Sequence, residues 1–195
     1  MTRGNSTSEG APPANHVAKN LIRILIGLAV ILAGLAVVIS RKPSHFEVTR
    51  SMVMPVPADK VFPLVNDLHR WEGWSPWVKM DPDSKATYEG PASGIGASMS
   101  WVGKKTGEGR MTVTDSRPNE LVLFKLEFFK PFKASNTAQF TFKPEGAGTL
   151  VSWSMSGESN FLAKAMSLVM DCEKMLAPMF DQGLASMKQL AVSAR

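Results

Sequence analysis

The reading of the fold turns on Trp71-Glu72-Gly73-Trp74-Ser75-Pro76-Trp77, a stretch that places three of the chain's five tryptophans within one connection. Before it stands a short helical pattern, and after it comes a series of strand-like runs. Concentrating so much amphipathic aromatic surface between helix and sheet serves either to seal a core or to line a pocket. Tryptophans are buried on average whether or not they bind anything, so at least one of these rings is expected to act as a plug.

Downstream of the cluster, Asp81-Pro82-Asp83 is a turn signal, and six runs separated by Gly, Pro and Asn follow it. They are Ala86 to Glu89, Ala97 to Val102, Gly107 to Ser116, Glu120 to Phe129, Ser135 to Lys143 and Thr149 to Gly157. Short consecutive strands with tight connections predict an antiparallel meander. Alternation assigns Met99, Trp101, Met111, Val113, Val122, Phe124, Leu126, Phe128, Ala138, Phe140, Phe142, Val151, Trp153 and Met155 to one apolar face. The opposite face carries Arg110, Thr112, Lys125, Glu127, Thr137, Gln139 and Ser152, so it is wet.

The apolar face needs a cover, and Asn160 to Arg195 supplies a helical stripe of Leu162, Ala165, Met166, Val169, Leu176, Phe180, Leu184, Met187 and Ala191. A long helix, kinked or interrupted near Pro178, is expected there. Upstream of the cluster, Phe46 to Met54 alternates as a further strand. Pro55 and Pro57 end it, Pro57 opens a helix through Val65, and a second short helix covers Asp67 to Trp71.

The first forty-five residues are of another kind. Residues 1–20 begin with a Ser-, Gly- and Pro-rich tail with little to bury, expected to be disordered. Residues 21–39, LIRILIGLAVILAGLAVVI, hold one charge, Arg23, and at roughly 1.5 Å per residue span about 28 Å, near the thickness of a bilayer's hydrocarbon. A transmembrane helix is the expectation, with Arg23 snorkelling to the interface. A cleaved signal peptide is the rival, against which stand the length of the apolar run and the lack of an A-x-A site after it. Basic residues on the two sides nearly balance, so orientation rests on the order of span and domain, which points to a cytoplasmic tail. Residues 40–45 form a link too brief to let the domain at 46–195 wander far from the bilayer.

Charge excludes one class of partner. The net charge is +5, but Arg3, Lys19, Arg23, Arg41 and Lys42 against Glu9 account for most of it ahead of the domain. A nearly neutral domain is a poor match for a nucleic acid, whose affinity rests on clustered basic residues. The lone Cys172 rules out an internal disulfide and a cysteine-rich metal site, and a small buried hydrophobe is its plain reading.

Neither a metal-ligand spacing nor a nucleophile motif occurs, and no cofactor is implied. His69, with Asp67 and Glu72 nearby, is the one candidate proton-transfer group, set against the reading of a surface histidine on a short helix. The glycine-rich pieces Gly94-Ile95-Gly96 and Gly103 to Gly109 fit hairpin turns rather than phosphate loops. Methionines are in surplus, and adaptable thioether side chains suit either core filling or an apolar binding wall. A cavity between sheet and helix would be lined by Trp71, Trp74, Trp77, Met99, Trp101, Met111, Phe124, Leu126, Phe140, Trp153, Met155, Met166, Met170, Leu176 and Phe180.

The order strand, two short helices, six strands and long helix, with the segments VNDLHRWEGWSPW, DPDSKATYEG, SGIGASMSW and GEGRMTVTDS, resembles the polyketide cyclase and START-like (SRPBCC, Bet v 1-like) superfamily. More narrowly, it is similar to small bacterial SRPBCC proteins anchored by one amino-terminal span. The resemblance extends from about His45 to the C-terminus. It implies an α+β helix-grip fold, a seven-stranded antiparallel sheet curled around the long helix with a hydrophobic cavity between them. It carries no catalytic motif across. The expected function is a membrane-anchored binding protein for a lipid or other hydrophobic small molecule, on the extracytoplasmic side of a bacterial inner membrane. A cyclase-like enzyme working in the same cavity and an interaction module with a solid core are the alternatives.

Overall fold

The computed structural model describes residues 14–158, 164–165, 168 and 171–193. Two compact units divide the chain, residues 1–42 and 43–195.

In the first unit a helix, α1, runs Ala14–Ser40. Its stretch Ala18–Ser40 is long and apolar enough to cross a membrane. Helix therefore begins at Ala14, ahead of residue 20, where the disordered tail was expected to end; the earlier part of that tail lies outside the described residues.

The second unit is an α+β helix-grip fold. Strand β1 (His45–Met54) is followed by α2 (Ala58–Asn66), a 3₁₀ turn at Leu68–Gly73 and α3 (Pro76–Met80). Strands β2 (Lys85–Glu89), β3 (Ser98–Gly103), β4 (Gly107–Arg117), β5 (Leu121–Lys130), β6 (Ala134–Glu145) and β7 (Gly148–Glu158) come next, and the helix α4 (Cys172–Ser193) closes the chain. Seven antiparallel strands stand in the order β1-β7-β6-β5-β4-β3-β2. The six later strands form the expected meander, and β1 pairs with the last of them. The two expected short segments are present and a third follows them: proline at the first helical position is pre-organised for a helix, and Pro76 starts α3.

The tryptophan stretch is held by the end of α2. A helix leaves its last four carbonyls without internal partners. Here Asp67 N donates to Pro63 O, Trp74 Nε1 to Leu64 O at 2.8 Å, Trp71 Nε1 to Val65 O at 2.9 Å and Gly94 N to Asn66 O. Two indole N–H groups thus complete the helix end while their rings go inward. A second anchor is the buried Asp81, whose Oδ2 accepts from Lys105 N, Thr106 N and Thr106 Oγ1 and so fixes the β3–β4 turn. The two backbone N–H groups hold its carboxyl below the usual carboxylate range.

Helix α4 starts at Cys172 because Asp171 Oδ1 accepts from Glu173 N and Lys174 N, and it runs unbroken through Pro178 to Ser193. Ala177, Phe180, Gly183, Leu184, Met187 and Ala191 are its buried stripe. Leu162, Met166, Val169 and Met170 lie outside the described residues. One expectation about this helix is corrected: Cys172 is exposed rather than buried, because it precedes the turn at which the helix meets the sheet.

Candidate functional site

Strand register sorts the inner face into six rows, counted from the end of the sheet where β1 begins. In the first, Ala134, Phe128, Gly109, Trp101 and Ala86 stand side by side. Phe46, Gly157, Asn136, Leu126, Met111, Met99 and Tyr88 make the second. Val48, Met155, Ala138, Phe124 and Val113 form the third; Arg50, Trp153, Phe140, Val122 and Ser116 the fourth; Met52, Val151 and Phe142 the fifth; Met54, Thr149 and Pro144 the sixth. Alternation had left Arg50 unassigned. Its register opposite Trp153 puts it on the inner face, and its guanidinium reaches Glu173 Oε1 at 3.4 Å and Asp181 Oδ2 at 3.8 Å on α4.

These rows differ in what covers them. The third is wholly buried, and in the fourth and fifth only Arg50 and Met52 on edge strand β1 and Ser116 on β4 are not. Trp71, Trp74 and Phe180 fill the space over them, with Trp153 at the centre of the cluster. Its ring stacks on Phe180 at 4.2 Å and 8° and on Phe140 at 4.8 Å and 28°. Trp74 and Trp77 meet it edge-on at 5.6 and 5.3 Å. Edge-to-face and offset geometries satisfy the ring quadrupoles, each pair adding about 0.5–1.5 kcal/mol beyond its area. Trp71 in turn packs edge-on against Phe124 and Phe140. Trp153 Nε1 lies buried with no hydrogen-bond partner, the one unsatisfied side-chain polar atom among the described residues.

The first two rows are covered less. Phe46, Met99, Trp101, Leu126 and Phe128 are half-buried, and so is Leu176, one turn before Phe180 on α4. Gly109 lies under Trp101, where a Cβ would strike the indole, so the ring lies flat across the sheet with Phe128 edge-on at 5.7 Å. Asn136 and Tyr88 are the polar residues of these rows.

Of the residues expected to line a cavity, Trp71, Trp74, Phe124, Phe140, Trp153 and Phe180 are brought together, but their surfaces are spent on one another. Met111 and Met155 are buried beside them. Met99, Trp101, Leu126, Leu176 and Trp77 keep accessible surface. Met166 and Met170 lie outside the described residues. The signal that separates the two groups is tertiary: it is the reach of the α2–α3 connection, which covers three rows and stops.

Two surface hollows flank this arrangement. One, of about 370 Å³, is polar and is formed by His45, Lys125, Asn136, Thr137 and Glu158 among others. The other, of about 280 Å³, lies between the 3₁₀ turn and β2, with Leu68, His69, Tyr88, Pro91 and Ser98 in its wall. His69 Nδ1 is 3.2 Å from Asp67 Oδ1, and its ring stacks on Tyr88 at 4.0 Å. No nucleophile joins them, and no group of His, Cys, Asp and Glu that could hold a metal ion occurs among the described residues.

Burial first, and then the nearby Glu72 carboxylate, push the Tyr88 phenol up to about 12. Its hydroxyl donates to Glu72 Oε1 at 3.3 Å. The folded state therefore binds this proton more tightly than the unfolded chain, so the contribution to stability is full below pH 10 and is lost as pH rises towards 12. Tyr88 is the single tyrosine, which makes phenolate absorbance a direct readout. The titration midpoint is expected near 12, and Glu72→Gln is expected to lower it while leaving it above 10, since desolvation remains. An unchanged midpoint in Glu72→Gln would show that the carboxylate has no part in the shift.

The model of the family described as polyketide cyclase / dehydrase and lipid transport matches residues 45–192. No curated protein matches the chain. Among solved structures, the protein TTHA0849 from Thermus thermophilus is 20% identical and superposes with a TM-score of 0.54, over 76% of this chain and 99% of its own. Mll3558 from Rhizobium loti is 18% identical, with a TM-score of 0.55 over 75% and 96% of the two chains. The Aha1 dimer from Colwellia psychrerythraea is 14% identical, with a TM-score of 0.52 over 75% and 97%. At these identities the likeness is one of fold.

Proposed function

This chain belongs to the polyketide cyclase / dehydrase and lipid transport family, and from that premise we propose that it is a membrane-tethered binding protein for a hydrophobic small molecule or lipid. The guest lies on the two open rows of the inner face, against Phe46, Met99, Trp101, Leu126, Phe128 and Leu176. The observation that carries the reading is the contrast between rows, because half-buried aromatic and thioether groups continue a sealed core along the same face. Apolar burial drives binding, at about 25 cal/mol per Å² before ordering costs. Asn136 is placed to orient the one polar end such a guest has.

Carriage is favoured over catalysis. A general acid or base works best with a pKa near the operating pH, and Tyr88, the titratable residue of these rows, is held near 12. The apolar stretch Ala18–Ser40 is the tether, with the domain on the extracytoplasmic side of a bacterial inner membrane.

The test is titration of residues 43–195 with fatty-acid and polycyclic fluorescent probes. Saturable, partial tryptophan quenching is expected, and Trp101→Phe is expected to remove most of it because Trp74 and Trp153 are sealed away from the guest. Absence of quenching by every probe of a broad panel would sink the reading and leave the filled aromatic core as that of an interaction module.

A further inference from the structure

At the end of the sheet where β1 begins, two hairpin turns lie against each other. Glu108 pairs with Lys130 across β4 and β5, and a Cβ on Gly107 would strike the Lys130 carbonyl, so the β3–β4 turn and the β5–β6 turn abut. The ladder then skips from Glu108↔Lys130 to Gly109↔Phe128, leaving Phe129 as a bulge residue. Bulges re-aim side chains, and Phe129 is 45% exposed. In the next turn Phe132 is 53% exposed.

Exposed lysines surround the two rings. Lys104 and Lys105 on one turn and Lys133 on the other make no ion pair among the described residues, while Lys130 is paired with Glu108 at 2.8 Å. The buried Asp81 carboxylate beneath the β3–β4 turn offsets one of these charges, and three lysines against it leave the tip positive. Exposed phenylalanines between unpaired lysines match an interface that is oily beneath and negatively charged on top. Strand β1 also begins at this end, at His45.

We infer that the paired β3–β4 and β5–β6 turns form a docking surface for an anionic lipid bilayer, with Phe129 and Phe132 entering the headgroup boundary and Lys104, Lys105 and Lys133 meeting lipid phosphates and carboxylates. Each lysine near such a surface strengthens association about five-fold, and salt screens it. This goes beyond guest binding, because docking requires no occupant of the inner face.

The test uses the full chain in lipid nanodiscs, with Cys172→Ser removing the one native thiol and Ala134→Cys carrying an environment-sensitive fluorophore beside the turns. Discs contain brominated acyl chains in phosphatidylcholine alone or with about 30% phosphatidylserine, the charged leaflet component on which such docking depends. Quenching is expected to be at least about two-fold greater in the anionic discs, and to fall to the neutral level in about 0.5 M salt. The triple variant Lys104→Glu, Lys105→Glu, Lys133→Glu and the double variant Phe129→Ala, Phe132→Ala are each expected to abolish the difference. Every substituted side chain is exposed, and unchanged circular dichroism verifies folding. Equal quenching in neutral and anionic discs, or a difference that survives the triple variant, overturns the inference. Trp101→Phe, which is expected to remove most of the probe-induced tryptophan quenching, leaves docking intact, so failure of one reading is distinguishable from failure of the other.

Discussion

Trp153→Ala is expected to destabilise the domain by about 3–5 kcal/mol, the range for removing a buried large aromatic side chain. Chemical denaturation followed by far-ultraviolet circular dichroism measures it. Trp153 is 2% exposed and is clasped between Phe140 and Phe180, with Trp71, Trp74 and Trp77 at its edges. Truncation removes one member of every one of these pairs, and the void cannot close, because the surrounding rings belong to strands, to α4 and to the α2–α3 connection at once. The unpartnered Nε1 tempers the cost, since deleting a buried unsatisfied donor is itself favourable by about 1–3 kcal/mol. Trp153→Phe separates the two contributions: it retains the stacked ring, removes the orphan donor, and is expected to cost about 1 kcal/mol or less. A loss below about 1 kcal/mol in Trp153→Ala would mean that the aromatic cluster is not what holds helix to sheet. Trp101→Ala, in the open rows, is expected to cost much less.

The second large effect is one of sign. Gly183 sits inside α4, where replacing glycine by alanine ordinarily stabilises by about 1 kcal/mol through backbone entropy. Here a Cβ would meet Trp153 Cζ3 at 2.7 Å and Pro76 Cδ at 3.2 Å. Neither can yield, because the indole is stacked on both faces and the proline is the buried first residue of α3. Overpacking costs about 1–3 kcal/mol, so Gly183→Ala is expected to destabilise despite its better helix propensity. Gly146→Ala is not a fair control, since its φ of 57° disfavours any side chain. Thermal melts of Gly183→Ala and Trp153→Leu,Gly183→Ala provide the comparison: relief of the clash in the double variant would show that the contact with the indole causes the loss. A stabilised Gly183→Ala would refute the close approach of α4 to the sheet.

Much of this architecture is legible in the residues because period two and period 3.6 are local properties of the chain. The strand runs were readable to within a few residues, since each alternates over a face that is apolar on one side only. Helix α4 was readable from its stripe, although the exposure of Cys172 was not, because position along a helix does not reveal where the helix first meets its partner. The start of α3 at Pro76 was not readable for a related reason. A proline both ends helices and begins them, and only the chain direction after Gly73 distinguishes the two.

The candidate site was legible in composition and not in arrangement. Sequence places Trp101 and Trp153 on the same face of a sheet with equal standing, as it does Leu126 and Phe124. What parts them is a row number, determined by pairing between strands far apart in the chain, and the length of the connection that folds over those rows. Arg50 shows the same limit, for its place opposite Trp153 comes from β1 pairing with β7 rather than with its neighbour in sequence. The order of residues by itself determined which side chains turn inward and that a helix must cover them, because alternation and amphipathicity are written residue by residue. Which of those side chains seal one another and which keep accessible surface was decided only by tertiary structure, because burial depends on what arrives from elsewhere in the chain.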